Sequence, residues 1–235
     1  MGRSTSRILL RGCGFWAFVT TVLFVTCAVR TPAAQAAVWN GVDPVAAPGQ
    51  AFVVVDTARN RLTLYEAGVP VRIWSVGLGK PDTPTPIGEW VVTDKQRGWG
   101  DGFGTRWLRI SVPWGIYGIH GTNKPHLIGG DVSSGCIRMR NQDVEALYPK
   151  VRIGTPVLIE GNPLCDGRRL ELGHIGSDVW LVQDRLARLG LYEGPCDGRF
   201  GFETEKAVKA FEAAHHLTVD GVVNLAVYQA LGLAE

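Results

Sequence analysis

The chain contains no C-x-x-C pair, so the usual zinc-site and dithiol redox spacings are missing. It has no strong charge of either sign: 24 basic against 22 acidic residues leave a formal +2, which weakens any nucleic-acid reading. With 46% hydrophobic and 20% charged residues, wholesale disorder and a polytopic membrane protein are both excluded. Its 30 glycines and 13 prolines follow no collagen-like period and suggest a turn-rich, β-leaning chain. The 235 residues leave room for one large domain or two modest ones.

The N-terminus reads as an address. Arg3, Arg7 and Arg11 precede 18 uncharged residues from Gly12 to Val29, and Ala34-Gln35-Ala36 offers a small-x-small cleavage pattern. That order predicts a secretory signal peptide over 1–36, although the uncharged run also approaches the length of a membrane anchor. Its removal takes Arg3, Arg7, Arg11 and Arg30 and no acid, leaving 20 basic against 22 acidic residues and a charge of −2. Cys13 and Cys27 leave as well. Cys136, Cys165 and Cys196 remain, in a compartment that permits disulfides. The expected destination is the periplasm or cell wall, with no membrane attachment after cleavage.

Residues 37–50, rich in Gly, Pro and Ala, read as a spacer. Over 51–160, short apolar runs alternate with turn signals: FVVVD at 52–56, RLTLYE at 61–66, VRIWSVGLG at 71–79 and GEWVVTD at 88–94. RWLRISV at 106–112, GIYGIH at 115–120, CIRMR at 136–140 and PVLIE at 156–160 follow, and helical periodicity is confined to Asn141–Leu147. The pattern predicts a mainly β, sandwich-like domain with one short helix. Residues 161–176 form a linker. Over 177–235 the period changes to helical and predicts a small all-α three-helix domain. Ser177-Asp178 offers an N-cap, Val179, Val182, Leu186 and Leu189 form a stripe, and Gly190 closes the first helix. Thr204 and Asn224 are the expected caps of the second and third, and Asp197-Gly198 and Asp220-Gly221 mark two similar turns 23 residues apart. Residues 37–160 carry 13 basic and 11 acidic residues, and residues 161–235 carry 7 and 11, so neither half favours nucleic acid.

The chemistry concentrates between His120 and Cys136. A thiol needs a base or a cation to become a thiolate near neutral pH. His120 ends one predicted strand and Cys136 begins another, with a Gly-rich loop between them. Strand alternation puts Cys136, Arg138 and Arg140 on one face and Ile137 and Met139 on the other, so Arg138 lies beside the thiol and would lower its pKa. Ser133, Ser134 and Gly135 are candidates for substrate contact, and the Gly135 amide for an oxyanion site. From one His and one Cys alone, a buried structural cysteine beside an unrelated surface histidine competes with this reading.

The stretch resembles the catalytic signature of the L,D-transpeptidases, the YkuD-like family of bacterial cell-wall enzymes. The match includes HGT at 120–122, Ser133, GCIRM at 135–139, Asn141 and Asp143, and upstream the turn Thr85-Pro86-Ile87-Gly88. Ser134 stands where many members have His. The resemblance implies a β-sandwich-like catalytic fold over 51–160 with Cys136 as nucleophile, His120 as base, the Gly121 carbonyl orienting the imidazole and Arg138 supporting the site. It implies attack on a peptidoglycan tetrapeptide stem, loss of the terminal D-Ala, a thioester acyl-enzyme and a 3→3 crosslink. Attack by water instead would make the chain an L,D-carboxypeptidase, and a wall-binding protein without catalysis is the remaining alternative. A papain-like enzyme places its Cys before its His, and a sortase separates them further.

Residues 179–223 are similar to the three-helix peptidoglycan-binding domain, through Gln183, Leu186, Leu189-Gly190, Asp197-Gly198, Phe200-Gly201, Thr204, Ala207-Val208, Phe211 and Asp220-Gly221. Glu212 stands where that family usually has Gln. The expected partners are stem peptides and wall polymer, and the expected state is a monomer. No cofactor and no metal site is expected: His215-His216 lacks a completing ligand, and GLGK at 77–80 is too short for a phosphate loop. His126 reads as a solvent-facing loop residue, and Trp99, Trp107 and Trp114 as core aromatics. Cys165 and Cys196 both precede Asp-Gly-Arg, and a disulfide between them would close a loop of about 30 residues.

Overall fold

A computed structural model describes residues 50–98, 100–164 and 167–234. The predicted signal peptide, the spacer apart from Gln50, Trp99 and Cys165 lie outside the described residues. The chain divides into Met1–Ala34 and a second unit, Gln35–Glu235, which holds everything described below.

The first half is built from β1 (Phe52–Asp56), β2 (Arg61–Glu66), β3 (Val69–Ser75), β4 (Leu78–Gly79), β5 (Gly88–Arg97), β6 (Arg106–Ile110), β7 (Tyr117–His120), β8 (Asp131–Ser133), β9 (Ile137–Arg138) and β10 (Pro156–Glu160). One helix, α1 (Asn141–Leu147), joins them. Among the described residues, eight strands form one mixed sheet in the order β3-β2-β1-β10-β5-β6-β7-β9, and β4 pairs with β8. The Val- and Ile-rich strands β1 and β10 pair in parallel at its centre, with Val53, Val55, Val157 and Ile159 fully buried. Each such side chain contributes roughly 1.5–3 kcal/mol by leaving water. Alternation is cleanest in β5, where Gly88, Trp90 and Val92 face inward and their neighbours outward. α1 closes one end by burying Val144 and Leu147.

Two sequence-based expectations shift. The strand predicted over 71–79 breaks after Ser75, because Val76 and Gly77 turn to bond Asn60 and Arg138. The strand predicted over 136–140 is paired only at Ile137–Arg138, although Ile137 and Met139 are buried and Arg140 exposed, as alternation requires. β8 carries no alternation signal and has no counterpart among the predicted strands.

The second half contains α2 (Ser177–Arg188), α3 (Phe202–Ala214) and α4 (Leu225–Ala230) around a separate core that includes Val179, Val182, Leu186, Phe211 and Tyr228. α4 is capped as expected, with Asn224 Oδ1 accepting the Val227 amide at 3.2 Å. α2 and α3 are not. Gly176 and Gly201 hold their N-cap positions, which frees the expected capping side chains for tertiary bonds. Asp178, 2% exposed, accepts from Arg168 at 2.5 and 3.0 Å, and Thr204 Oγ1 accepts from Gln183 Nε2 at 3.0 Å. Leu189 is 51% exposed and leaves the predicted stripe, because α2 ends there. Gly190 follows at φ 73°, its amide bonding Ala187 while Leu191 bonds Leu186, a Schellman closure.

Candidate active site

β7 and β9 run parallel, with Ile119 opposite Ile137 and His120 opposite Arg138. Extending that register puts Cys136 opposite Gly118. His120, Arg138 and Cys136 therefore share one face, and a Cβ at Gly118 on that face would meet the Trp107 ring at 2.8 Å. The face opposite is core, with Ile119 and Ile137 fully buried.

His120 is 2% exposed. Trp107 stacks on it at 5.5 Å and Phe103 meets it edge-on at 5.0 Å. Its Nδ1 lies 2.5 Å from the Gly121 carbonyl oxygen, which fixes Nδ1 as the donor and leaves Nε2 as the basic nitrogen. Burial pushes its pKa down to about 4, the carbonyls of Gly121 and Phe103 resisting and the Arg138 charge adding to the fall. The imidazole is neutral at pH 7 and able to accept a proton.

Cys136 is partly buried, with Sγ 4.0 Å from the Ile116 carbonyl. Burial pushes its thiol up, against the opposing pull of the Gly118 amide and Arg138. The expectation that Arg138 lowers this pKa holds for its own contribution. Desolvation is larger and decides the sign.

The loop before the thiol is held from both sides. Ser133 Oγ donates to the Cys136 carbonyl at 2.6 Å and accepts the Gly135 amide at 3.0 Å, while the Ser133 carbonyl accepts from Lys80 N at 3.0 Å and Thr83 Oγ1 at 3.2 Å. Ser133 and the Gly135 amide, expected to face substrate, are thus spent on shaping the loop. Gly135 sits at φ 106°, where a Cβ would meet the Tyr117 ring at 2.6 Å, so only glycine fits. Ser134 alone of the three is exposed.

Sequence reasoning assigned no role to Asn141. Its Oδ1 accepts the Thr105 amide at 3.3 Å and the Thr122 amide at 3.1 Å, tying two loops together beside the carbonyl that orients His120. Its place in the stretch that resembles the family signature, just after β9, was the available signal.

With this geometry in view, the likeness to known proteins has a physical basis. The family model described as the L,D-transpeptidase catalytic domain matches residues 50–159, and one described as a peptidoglycan binding domain matches 175–231. YqjB of Bacillus subtilis strain 168, named an L,D-transpeptidase, is 37% identical over 127 residues, covering 48% of this chain and 72% of that protein. The chain belongs to the L,D-transpeptidase family. YkuD of Bacillus licheniformis, also so named, is 44% identical over 107 residues, covering 46% of this chain and 64% of YkuD. ErfK/SrfK of Salmonella typhimurium, of the same designation, is 36% identical over 183 residues, covering 66% of this chain and 55% of its own. The chain thus spans less than two thirds of the length of YkuD and of ErfK/SrfK.

This L,D-transpeptidase domain is joined to its peptidoglycan-binding domain by packed contacts. Trp90 and Trp114 meet edge-on at 5.4 Å, and Trp180 of α2 meets Trp90 at 5.9 Å. Arg199 Nη2 donates to the Trp114 carbonyl at 2.8 Å. Beside this contact a cleft of about 580 Å³ runs between the domains, lined by Lys80, Asp82, Trp114, Tyr117 and Ser134 on one side and Arg168, Ile175 and Ser177 on the other.

Trp107 and Trp114 are buried, as expected of core aromatics, and His126 is exposed. Cys196 carries a free thiol, and Cys165, its expected partner, lies outside the described residues. Among the described residues no three His, Cys, Asp or Glu side chains cluster as a metal site, and no helix is long and apolar enough to cross a membrane.

Proposed function

We propose that this chain is a cysteine-dependent peptidoglycan L,D-transpeptidase, exported to the periplasm or cell wall and acting as a monomer on stem peptides. The observation that carries the reading is the shared face of Cys136 and His120, with Nδ1 held by the Gly121 carbonyl and Nε2 left basic. The Cys136 proton passes to His120 as sulfur attacks the carbonyl before the terminal D-Ala. The C–N bond breaks, His120 returns the proton to the departing amine, and a thioester remains. Arg138 supplies a fixed positive charge on the same face. A side-chain amine of a second stem then resolves the thioester as a 3→3 crosslink.

Two measurements test this. Intact-protein mass spectrometry with a carbapenem should show a single adduct that Cys136→Ala abolishes. Undiminished acylation of that variant would remove Cys136 from the mechanism. Muropeptide analysis with purified protein should show new dimers. Loss of D-Ala without dimers identifies a carboxypeptidase, and no change identifies a binder.

A further inference from the structure

From the cleft between the two domains we infer that the acyl acceptor, the amine-bearing stem peptide, binds there, so that the C-terminal domain is one wall of the acceptor's site. The inference rests on the acyl-enzyme reading above and adds where the second reactant lies. Three observations carry it. Cys136 does not line the cleft, whereas Ser134, two residues before it, does, as does Tyr117, which packs against Gly135. The cleft therefore reaches the loop that leads into Cys136 without including the thiol itself, which leaves room for a second reactant beside the bound donor. At about 580 Å³ its volume suits a short peptide, within the usual range for ligand pockets. Its lining is charged in both senses and partly apolar. Asp82 and Asp131 suit an ammonium group, Lys80 suits a stem carboxylate, and Trp114 and Ile175 offer apolar surface between.

The step this site serves is balanced. The acceptor nitrogen forms a bond to the thioester carbonyl carbon and the C–S bond breaks. Sulfur leaves as the Cys136 thiolate, and the surplus amine proton passes to His120 and then to sulfur, restoring the thiol.

The test compares variants on opposite walls in the full chain: Asp82→Lys on the catalytic side and Ser177→Trp on the C-terminal side. Crosslinked dimer and hydrolysed tripeptide both arise from one acyl-enzyme, so their ratio reports acceptor capture independently of acylation rate. Both variants should lower the dimer-to-tripeptide ratio by about fivefold or more, while Phe202→Ala, 75% exposed on α3 and away from the cleft, leaves it unchanged. A wild-type ratio in Asp82→Lys, whose side chain is exposed and whose folding is verified by a thermal melt, overturns the inference. A second measurement separates this from the functional reading: calorimetric titration of Cys136→Ala with an uncrosslinked tripeptide stem, which carries the acceptor amine and lacks the D-Ala that a donor must lose. If the wall substitutions abolish that binding while wild type forms no dimer, the cleft stands as a stem site and the transpeptidase reading falls. If they leave binding intact, the cleft assignment falls.

Discussion

Two groups that each resist charge share one face at the candidate site. Burial holds His120 neutral, with a pKa of about 4, and pushes the Cys136 thiol above its ordinary 9.0. At pH 7 the resting pair is therefore thiol and imidazole, not thiolate and imidazolium, and the thiolate forms only as the proton moves. Iodoacetamide alkylation of Cys136 should keep accelerating through pH 8 and beyond 9.0, with no plateau near neutrality. A plateau between pH 5 and 7 would show a preformed ion pair and refute this. The same burial bears on stability. Because the folded pKa of His120 lies below the unfolded 6.5, its contribution is complete above pH 6.5 and is lost as pH falls toward 4. Replacing His120 with Gln should flatten the dependence of the melting temperature in that window. The residue types and their shared face were legible in the sequence, because strand alternation dictates which side chains sit together. The sign of the thiol shift was not, because desolvation depends on what the fold stacks above the site.

At the scale of elements, the least legible features are side chains that bond across loops instead of within their own helix. Asn141 opens α1 yet ties the Thr105 and Thr122 amides together beside His120. Asn141→Ala should cost about 1–2 kcal/mol in urea unfolding, since two partly buried amides lose their acceptor. It should also slow carbapenem acylation, with Asn141→Asp, which keeps an acceptor oxygen, recovering most of the rate. Equal acylation rates in Asn141→Ala and wild type would mean the tie is structural only. The C-terminal domain repeats the device. Gln183, fully buried on α2, accepts the Gly198 amide at 2.8 Å, and Glu212, fully buried on α3, accepts the Asp220 and Gly221 amides at 3.1 and 2.9 Å. The two Asp-Gly turns seen in the sequence are thus each pinned by one long polar side chain. At the second the side chain is an acid, with Oε1 buried and unpartnered. Burial raises its pKa, so the native state favours the protonated form, and stability declines as pH climbs above the unfolded 4.5. Glu212→Gln should remove that decline and raise the melting temperature at pH 7. A lower value at pH 7 would show that the carboxylate is better satisfied than its geometry indicates.

The whole molecule is coupled through one loop. Trp114 lies between β6 and β7, two residues before Ile116, whose carbonyl faces the Cys136 sulfur, and three before Tyr117, which packs on Gly135. From the other side Arg199 holds the Trp114 carbonyl, and Gly198 lies so close to the Trp114 ring that a Cβ there would collide with it. Displacing the C-terminal domain should therefore loosen the backbone that frames Cys136. Gly198→Ala tests this against an internal control. Gly198 and Gly221 occupy equivalent turns at φ 68° and 77°, so alanine imposes a similar backbone cost of about 1 kcal/mol at each. At Gly221, however, the added methyl meets only the flexible chains of Lys209 and Glu205. Both substitutions should destabilise the protein in thermal unfolding through the shared backbone cost, Gly198→Ala more so through the Trp114 clash, yet only Gly198→Ala should slow acylation of Cys136 and expose the Trp114 loop to limited proteolysis. Equal acylation rates in the two variants would show that the domains share a surface without sharing mechanics. A slower rate in Gly198→Ala alone would make the C-terminal domain part of the catalytic framework rather than an appended anchor.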